Sequence, residues 1–264
     1  MRDFSLHMLR ELLLTFVRRD YGLIRFEDYW NDRDDFDGRE NIVLLRHDVD
    51  RFPETAFNIA RLESEIGVYG TYFFRVKPQV FKENTITGIA KLGHEIGYHY
   101  EHLADAAGDY EAARDIFDRC LNQLRKLCPV VSVSMHSRAF SKWDSRTFWD
   151  EYSLDEFGLL GDTYRSIDHH RYMYLADSGR SWNADRNVVW DSVDGLSPPQ
   201  MGKGTPGLIK ELNEGHSIRS AQLLIHPNRW PKTALGHASQ YAMDQIVNMG
   251  KTAIKTYTRL AGRR

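Results

Sequence analysis

The chain has 264 residues, a formal net charge of −2 and 27% charged residues, with basic and acidic side chains intermixed along it. No basic stripe is present, which argues against a nucleic-acid partner. The longest apolar run near the N-terminus, residues 12–17, is too short to cross a membrane and has no small-residue cleavage site, so we expect a cytoplasmic protein without a transmembrane segment. Because no Pro-, Gly- or Ser-rich linker divides the chain, we expect residues 1–264 to form a single domain.

Apolar residues recur at helical and at strand spacings, and the two kinds of segment alternate along the chain. Helical spacing predicts helices over residues 4–20, 54–66, 79–92, 110–127, 144–152, 205–213 and 237–259. Short apolar runs predict strands over residues 42–48, 71–74, 95–100, 130–136, 159–163, 172–176 and 222–225. Strands joined by crossover helices lie parallel in one sheet, so about seven of them predict an α/β fold with a closed or nearly closed barrel.

Polar residues cluster where the predicted strands end. Asp48 and Asp50 follow the first apolar run, and alternation along a strand places both carboxylates on the same side. Taken alone, Asp50 is equally well explained as a helix cap before Pro53. Later strands end in His99, His136, Asp162 and His226. In a parallel barrel these ends converge on one mouth, and histidines grouped with a carboxylate and an open position describe a hydrolytic metal site.

Four short segments follow one another in an order known from one protein family. They are Arg46-His47-Asp48-Val49-Asp50, Gly70-Thr71-Tyr72-Phe73-Phe74, Gly93-His94-Glu95-Ile96-Gly97-Tyr98-His99 and Leu224-Ile225-His226-Pro227. Together they resemble the polysaccharide deacetylases of carbohydrate esterase family 4, the NodB-homology proteins. The resemblance implies a distorted (β/α)7 barrel. It also implies a metal-dependent hydrolase that removes an acetyl or other acyl group from an N- or O-acetylated sugar.

Carried over by position, the resemblance implies a role for four residues. Asp48 would be the general base, Asp50 and His99 would be metal ligands, and His226 would be the general acid. These roles agree with the chemistry, because a divalent ion lowers the pKa of a water, a carboxylate takes its proton and a protonated imidazole delivers one to the leaving amine. A ligand set that mixes imidazole and carboxylate favours zinc as the cofactor.

The sequence departs from the family pattern in two places. The family's second metal histidine follows the first by four residues, where this chain has Leu103, with His102 one position earlier. The Arg-x-Pro-Tyr motif after the fourth strand is absent from residues 135–140. If the strand continues through His99, residue 102 faces the opposite side, so we predict that His136 is the third ligand. The alternative is that His136 forms a hydrogen bond to a ligand carboxylate.

Several further residues are candidates for binding the substrate around the predicted mouth. They are Arg138, Asp162, Arg180, Trp182 and Trp230. Core packing explains Trp182 equally well. Proteins with a similar His-Asp-Val-Asp stretch are linked to bacterial surface-polysaccharide (lipopolysaccharide O-antigen) synthesis, and this resemblance implies a small-molecule or lipid-linked sugar substrate.

Other functions are compatible with the same motifs. A DxD glycosyltransferase would use Asp48 and Asp50 to hold a metal-bound nucleotide diphosphate, but it would leave His99 and His226 without a role, and no nucleotide-binding Gly-rich turn is present. A non-catalytic sugar-binding relative would keep the barrel and lack a ligand at Leu103. A hydrolase of non-sugar amides or cyclic ureides would share the same barrel. The sequence does not indicate an oligomeric state.

Overall fold

A computed structural model describes residues 2–138, 141–180, 182, 204–215 and 218–231, and eight strands of this part of the chain form one sheet. The strands are β1 (Gly22–Ile24), β2 (Ile42–Val49), β3 (Thr71–Phe74), β4 (Glu95–Tyr100), β5 (Ser132–Met135), β6 (Gly161–Asp162), β7 (Met173–Ala176) and β8 (Ala221–Ile225). The main path runs β6-β5-β4-β3-β2-β8-β7, β1 pairs with the start of β2, and every pairing is parallel. The predicted α/β barrel-type fold is confirmed in the form of a curled, half-barrel sheet.

Eight α-helices of the described residues connect and cover these strands. They are α1 (Leu6–Arg18), α2 (Phe26–Asn31), α3 (Arg33–Asp37), α4 (Pro53–Glu65), α5 (Glu83–Lys91), α6 (His102–Asp105), α7 (Tyr110–Arg125) and α8 (Gly204–Glu214). Short 3-10 helices cover Ser145–Asp150, Asp155–Phe157, Ser178–Arg180 and Pro227–Arg229. None of the described helices combines the length and apolar character that crossing a membrane requires. The helix predicted over residues 237–259 lies outside the described residues.

The structure corrects the sequence prediction at its shortest elements. Three residues of β1 and the two short helices α2 and α3 occupy residues 22–37, where the sequence predicted no regular structure. The helix predicted over residues 144–152 is instead a 3-10 helix, and α6 was not predicted. Segments this short complete barely one repeat of a helical or strand period, so the apolar spacing carries little signal for them.

Alternation along the strands gives the sheet one apolar and one polar side near its carboxyl edge. Val43, Leu45 and Val49 of β2 belong to the large core beneath the helices. Arg46 and Asp48 face the other side and are also buried. Near this edge, the interior face of β2 therefore carries two buried polar side chains, and these are available for chemistry.

His47 lies between the two interior residues of β2 and faces the helix side of the sheet. Its Nε2 is 2.8 Å from Oε1 of the buried Glu63 on α4, and the Tyr72 hydroxyl donates to Oε2 of the same carboxylate at 2.7 Å. The rings of His47 and Tyr72 stack with centroids 4.1 Å apart. His47 therefore ties α4 to the sheet and does not contribute to the interior.

Strands β3 and β4 come very close to each other in the barrel interior. A Cβ added at Gly97 of β4 would lie 2.3 Å from the ring of Phe73 on β3. Glycine is therefore needed two residues before His99, because any side chain would displace the Phe73 ring from the interior.

Candidate metal centre

Three polar side chains meet at the carboxyl ends of three strands. Asp50 follows β2, His99 lies in β4, and His136 follows β5. Oδ1 of Asp50 is 3.4 Å from Nε2 of His99 and 3.4 Å from Nε2 of His136. The three ligand atoms all lie within 4.8 Å of one another. The structure thus brings together the carboxylate and the two imidazoles that the sequence singled out as metal ligands.

The chemistry and spacing of this group fit a divalent cation. Oδ1 of Asp50 is buried and has no hydrogen-bond partner among the described residues, which is costly for a carboxylate oxygen unless something else binds it. Bonds of roughly 2.0–2.1 Å to a tetrahedral ion would separate neighbouring ligand atoms by about 3.3 Å. The observed 3.4 Å contacts match that separation. Two imidazoles and one carboxylate also leave a fourth position for water or substrate.

Both imidazoles are held so that Nε2 faces the carboxylate. Nδ1 of His99 lies 3.0 Å from the main-chain oxygen of Ser134, which can only accept, so Nδ1 carries the hydrogen. Nδ1 of His136 lies 3.0 Å from Oε2 of Glu101. A partner on the remote nitrogen that fixes the ring orientation is typical of metal-binding histidines. Burial raises the pKa of Asp50, but His136, His99 and His226 outweigh burial and hold it well below its ordinary value of 3.8.

His102 lies outside this group, for a reason different from the one expected. No pattern in the sequence predicts a helical turn directly after β4, yet α6 begins at His102. The ring of His102 nevertheless points into an aromatic cluster formed by Tyr100, Phe117 and Phe148, with ring centroids 5.2, 4.8 and 4.2 Å away. Leu103, in the place of the family's second histidine, is 1% exposed and belongs to the core.

Asp48 lies beside the metal group and is held by Arg46 from the same strand. Nε and Nη2 of Arg46 donate to the two carboxylate oxygens of Asp48 at 2.9 and 2.6 Å. Arg46 is completely buried, and its guanidinium lies over the ring of Tyr164 at 4.7 Å. Oδ2 of Asp48 is 3.5 Å from Nε2 of His99. A two-pronged contact of this kind fixes the orientation of a carboxylate.

His226 directly follows β8, and its imidazole contacts a buried carboxylate. Nδ1 of His226 lies 2.6 Å from Oδ1 of the buried Asp177, which follows β7. Arg229 and the Trp230 indole also donate to Asp177, each at 2.7 Å. Burial and the Arg229 guanidinium both lower the pKa of His226, but the Asp177 and Asp50 carboxylates outweigh them, so the pKa lies above its ordinary value of 6.5.

The residues predicted to bind substrate occupy very different positions. Arg138 lies at the rim, with 43% of its side chain exposed and Nη1 donating to Asp105 at 2.9 Å. Asp162 is completely buried, and its carboxylate accepts from the Tyr100 hydroxyl at 2.7 Å and from two main-chain amides. The guanidinium of Arg180 lies over the ring of Phe4 at 5.5 Å.

The two tryptophans predicted to bind sugar are core residues. Trp182 is 1% exposed and Trp230 is completely buried. Both rings pack against Phe4, with centroids 6.5 and 5.1 Å away. Neither presents a ring face to solvent, so the core-packing interpretation describes Trp182, and the expectation that Trp230 lines the mouth needs correction.

Sequence reasoning missed three residues that orient the site, namely Arg46, Glu101 and Asp177. Each had a recognisable signal. Arg46 interrupts an apolar strand, where a charge is unusual unless it is paired. Glu101 and Asp177 directly follow β4 and β7, so the rule that selected the other polar residues at strand ends applies to them as well.

Comparison with known proteins gives similarity of structure only. None of the known family models matches the sequence, and no curated protein does. A family 4 carbohydrate esterase from Bacillus anthracis is 15% identical, with 79% of this chain and 76% of that chain covered and a TM-score of 0.39. The peptidoglycan deacetylase PdaC from Bacillus subtilis is 12% identical, with 84% and 95% covered and a TM-score of 0.43. A CE4 family pseudoenzyme from Bacillus anthracis is 14% identical, with 77% and 60% covered and a TM-score of 0.43.

Proposed function

We propose that this chain is a metal-dependent carbohydrate deacetylase of the family 4 type, which hydrolyses the acyl group of an N- or O-acetylated sugar. One observation carries the proposal. Oδ1 of Asp50, which has no hydrogen-bond partner in the described part of the chain, lies 3.4 Å from each of two imidazoles, and a second carboxylate, held by Arg46, lies beside them. A glycosyltransferase does not need this arrangement, because it would hold its metal and nucleotide with Asp48 and Asp50 alone.

Asp50, His99 and His136 would hold the ion. When bound, a divalent ion supplies Lewis acidity that activates water and stabilises negative charge on the acyl oxygen. Asp48 takes the proton of the attacking water, and its two hydrogen bonds from Arg46 fix the orientation of its carboxylate. In the protonated imidazole of His226, Nδ1 donates to Asp177 and Nε2 carries the proton that is transferred to the leaving amine or alcohol. The Asp177 and Asp50 carboxylates raise the pKa of His226 above its ordinary value, which favours the protonated imidazole.

The finer parts of the proposal come from the sequence. Zinc is proposed as the ion because the ligand set mixes imidazole and carboxylate. The likeness of the His47-Asp48-Val49-Asp50 stretch to proteins of surface-polysaccharide synthesis supports a role in lipopolysaccharide O-antigen formation. It also supports a small or lipid-linked sugar substrate in the cytoplasm.

Asp48→Asn provides the test of this function. Metal-free protein is reloaded with zinc, its metal content is measured, and acetate release is followed over a panel of N- and O-acetylated sugars. We expect one zinc ion per chain and turnover on at least one sugar. Asp48→Asn should keep the zinc and lose a hundredfold or more of the rate, because an amide keeps the shape of the side chain but is not a base.

The matched control for this variant is Asp115→Asn, which removes an exposed carboxylate on α7 and should leave the rate unchanged. Zinc binding without turnover on any sugar would favour the non-catalytic sugar-binding function. Absence of zinc binding would refute the proposal.

A further inference from the structure

Glu101 is a buried carboxylate whose two oxygens contact different partners at the metal group. It is the first residue after β4 and is 3% exposed. Oε2 lies 3.0 Å from Nδ1 of His136, and Oε1 accepts from Nε and Nη2 of Arg75 at 3.1 and 2.6 Å. We propose that Glu101 is a positioning residue of the metal centre, which accepts the Nδ1 hydrogen of His136 and so presents Nε2 of that ring to the ion. The inference rests on the proposed function, which makes His136 a ligand.

The two histidines of the group differ in what holds them. His99 is inside β4 and donates to the main chain of the neighbouring strand β5, so the sheet itself fixes its ring. His136 lies one residue beyond β5, and its main-chain N–H donates to the main-chain oxygen of Tyr100 at 2.7 Å. That bond fixes the backbone of His136 but leaves its ring free to turn about the side-chain bonds. A side-chain acceptor is therefore needed to fix the ring, and Glu101 is in place to supply it.

The surroundings of Glu101 keep it an acceptor. Arg75 forms the shortest contact, and Lys77 and Arg138 lie 3.6 and 3.7 Å from its oxygens. Arginine and lysine side chains only donate hydrogen bonds, so the carboxylate oxygens of Glu101 act as acceptors throughout this group. The hydrogen shared with His136 therefore belongs to Nδ1, and the lone pair of the ring is on Nε2, facing Asp50.

Arg75 also links Glu101 to the other side of the metal group. Its Nη1 lies 3.5 Å from the main-chain oxygen of Asp50. The carboxylate that orients His136 is thus tied to the loop that carries the acidic ligand. Removing the partner of a ligating histidine typically weakens metal affinity about 10- to 100-fold. We expect a loss of that size for Glu101→Gln, which keeps the volume of the side chain but removes the charge that determines which atom faces His136.

Asp105→Asn is the matched control for Glu101→Gln. Asp105 belongs to the same group of charges. Among the described residues its carboxylate contacts Lys77 at 2.7 Å and Arg138 at 2.9 Å, and it does not contact His136. If Glu101 acts only through its negative charge near the metal group, Glu101→Gln and Asp105→Asn should weaken zinc binding equally. If it acts by orienting His136, Asp105→Asn should bind zinc as the wild type does.

Two measurements test the inference. Zinc affinity is obtained for the wild type and both variants by competition with a chromophoric chelator. The tautomer of His136 is read from ¹⁵N chemical shifts of the metal-free wild-type protein, with the signal assigned by comparison with His136→Gln. We expect the Nδ1–H tautomer in the wild type, and a 10- to 100-fold weaker zinc affinity in Glu101→Gln alone.

An Nε2–H tautomer of His136, or equal zinc affinity of the wild type and Glu101→Gln, would overturn the inference. These outcomes are separate from a failure of the proposed function. If the wild type itself bound no zinc, the function would be refuted, whereas the tautomer of the metal-free wild type would still decide whether Glu101 orients His136.

Discussion

His99 and His102 are three residues apart and equally buried, with 2% and 0% of each residue exposed, yet they lie in regions of opposite character. His99 lies in the metal group, where one nitrogen has a main-chain partner and the other faces two carboxylates. His102 lies in the aromatic cluster, where neither ring nitrogen has a hydrogen-bond partner among the described residues. Burial alone therefore does not distinguish a functional histidine from one that fills space, whereas the partners of its two nitrogens do.

The reason for the difference is a change of backbone direction between the two residues. His99 belongs to the extended strand β4, whose interior face carries polar side chains. The chain turns into α6 at His102, and this turn directs the ring against Phe117 of α7 and Phe148. The ring nitrogens of His99 thus face polar partners, whereas those of His102 are buried in an apolar environment.

The largest difference that we predict between His99 and His102 is in their contribution to metal binding. His99→Ala should lower zinc affinity by a hundredfold or more, because it removes one of the three proposed ligands, whereas His102→Ala should leave zinc affinity unchanged. Both affinities can be measured by chelator competition with the folded variants. Loss of zinc from His102→Ala with retention in His99→Ala would reverse the assignment of the two histidines.

The sequence predicts the fold well where its signals are long or repeated. The strand predicted over residues 42–48 lies within β2, and the amphipathic pattern over residues 110–127 contains α7. Prediction fails at β1, α2 and α6, whose lengths of three, six and four residues are too short for a periodic pattern. Packing against the surrounding core stabilises such short elements, and this packing cannot be predicted from the local sequence.

The sequence predicts the site unevenly for a related reason. Asp50, His99 and His136 could be grouped because parallel strand ends converge on one edge, a rule that needs no distances. The surroundings of Trp182 and Trp230 could not be predicted, because the sequence does not distinguish a loop tryptophan that faces a sugar from one that packs against Phe4. The orienting contacts of Arg46 and Glu101 depend on side-chain reach across two strands, which spacing along the chain does not give.

A second test of the comparison is the dependence of stability on pH. Burial lowers the pKa of His102 to about 3 from its ordinary 6.5, and no charged group among the described residues contributes to the shift. The rings packed against it are those of Phe117, Phe148 and Tyr100, whose hydroxyl is bound to Asp162. Between pH 6.5 and 3 the unfolded chain therefore binds a proton that the folded chain does not, and stability falls as the pH falls.

The expected loss attributable to His102 is about 2 kcal/mol between pH 7.5 and pH 5. It can be measured as the difference between urea-unfolding free energies of the wild type and His102→Leu at the two pH values. Because other groups titrate in both proteins, only the difference between the two profiles reports on His102. Parallel profiles would show that the ring is protonated, or solvated, in the folded state.

The smallest expected effect is at pH 7.5, where His102 is neutral, and there His102→Leu should stabilise the fold by about 1–2 kcal/mol. Leucine fills a similar volume in the aromatic cluster and removes two buried nitrogens that have no partner within the described residues, each of which costs free energy in an apolar environment. The matched control is His94→Leu, because His94 is also buried but has Nδ1 accepting from the Gly70 N–H at 3.2 Å and Nε2 bonded to the Ala60 oxygen at 2.9 Å. His94→Leu leaves those two main-chain groups unpaired and should destabilise the fold. Urea unfolding of both variants separates the two cases, and a loss of stability in His102→Leu would mean that its nitrogens are bonded after all.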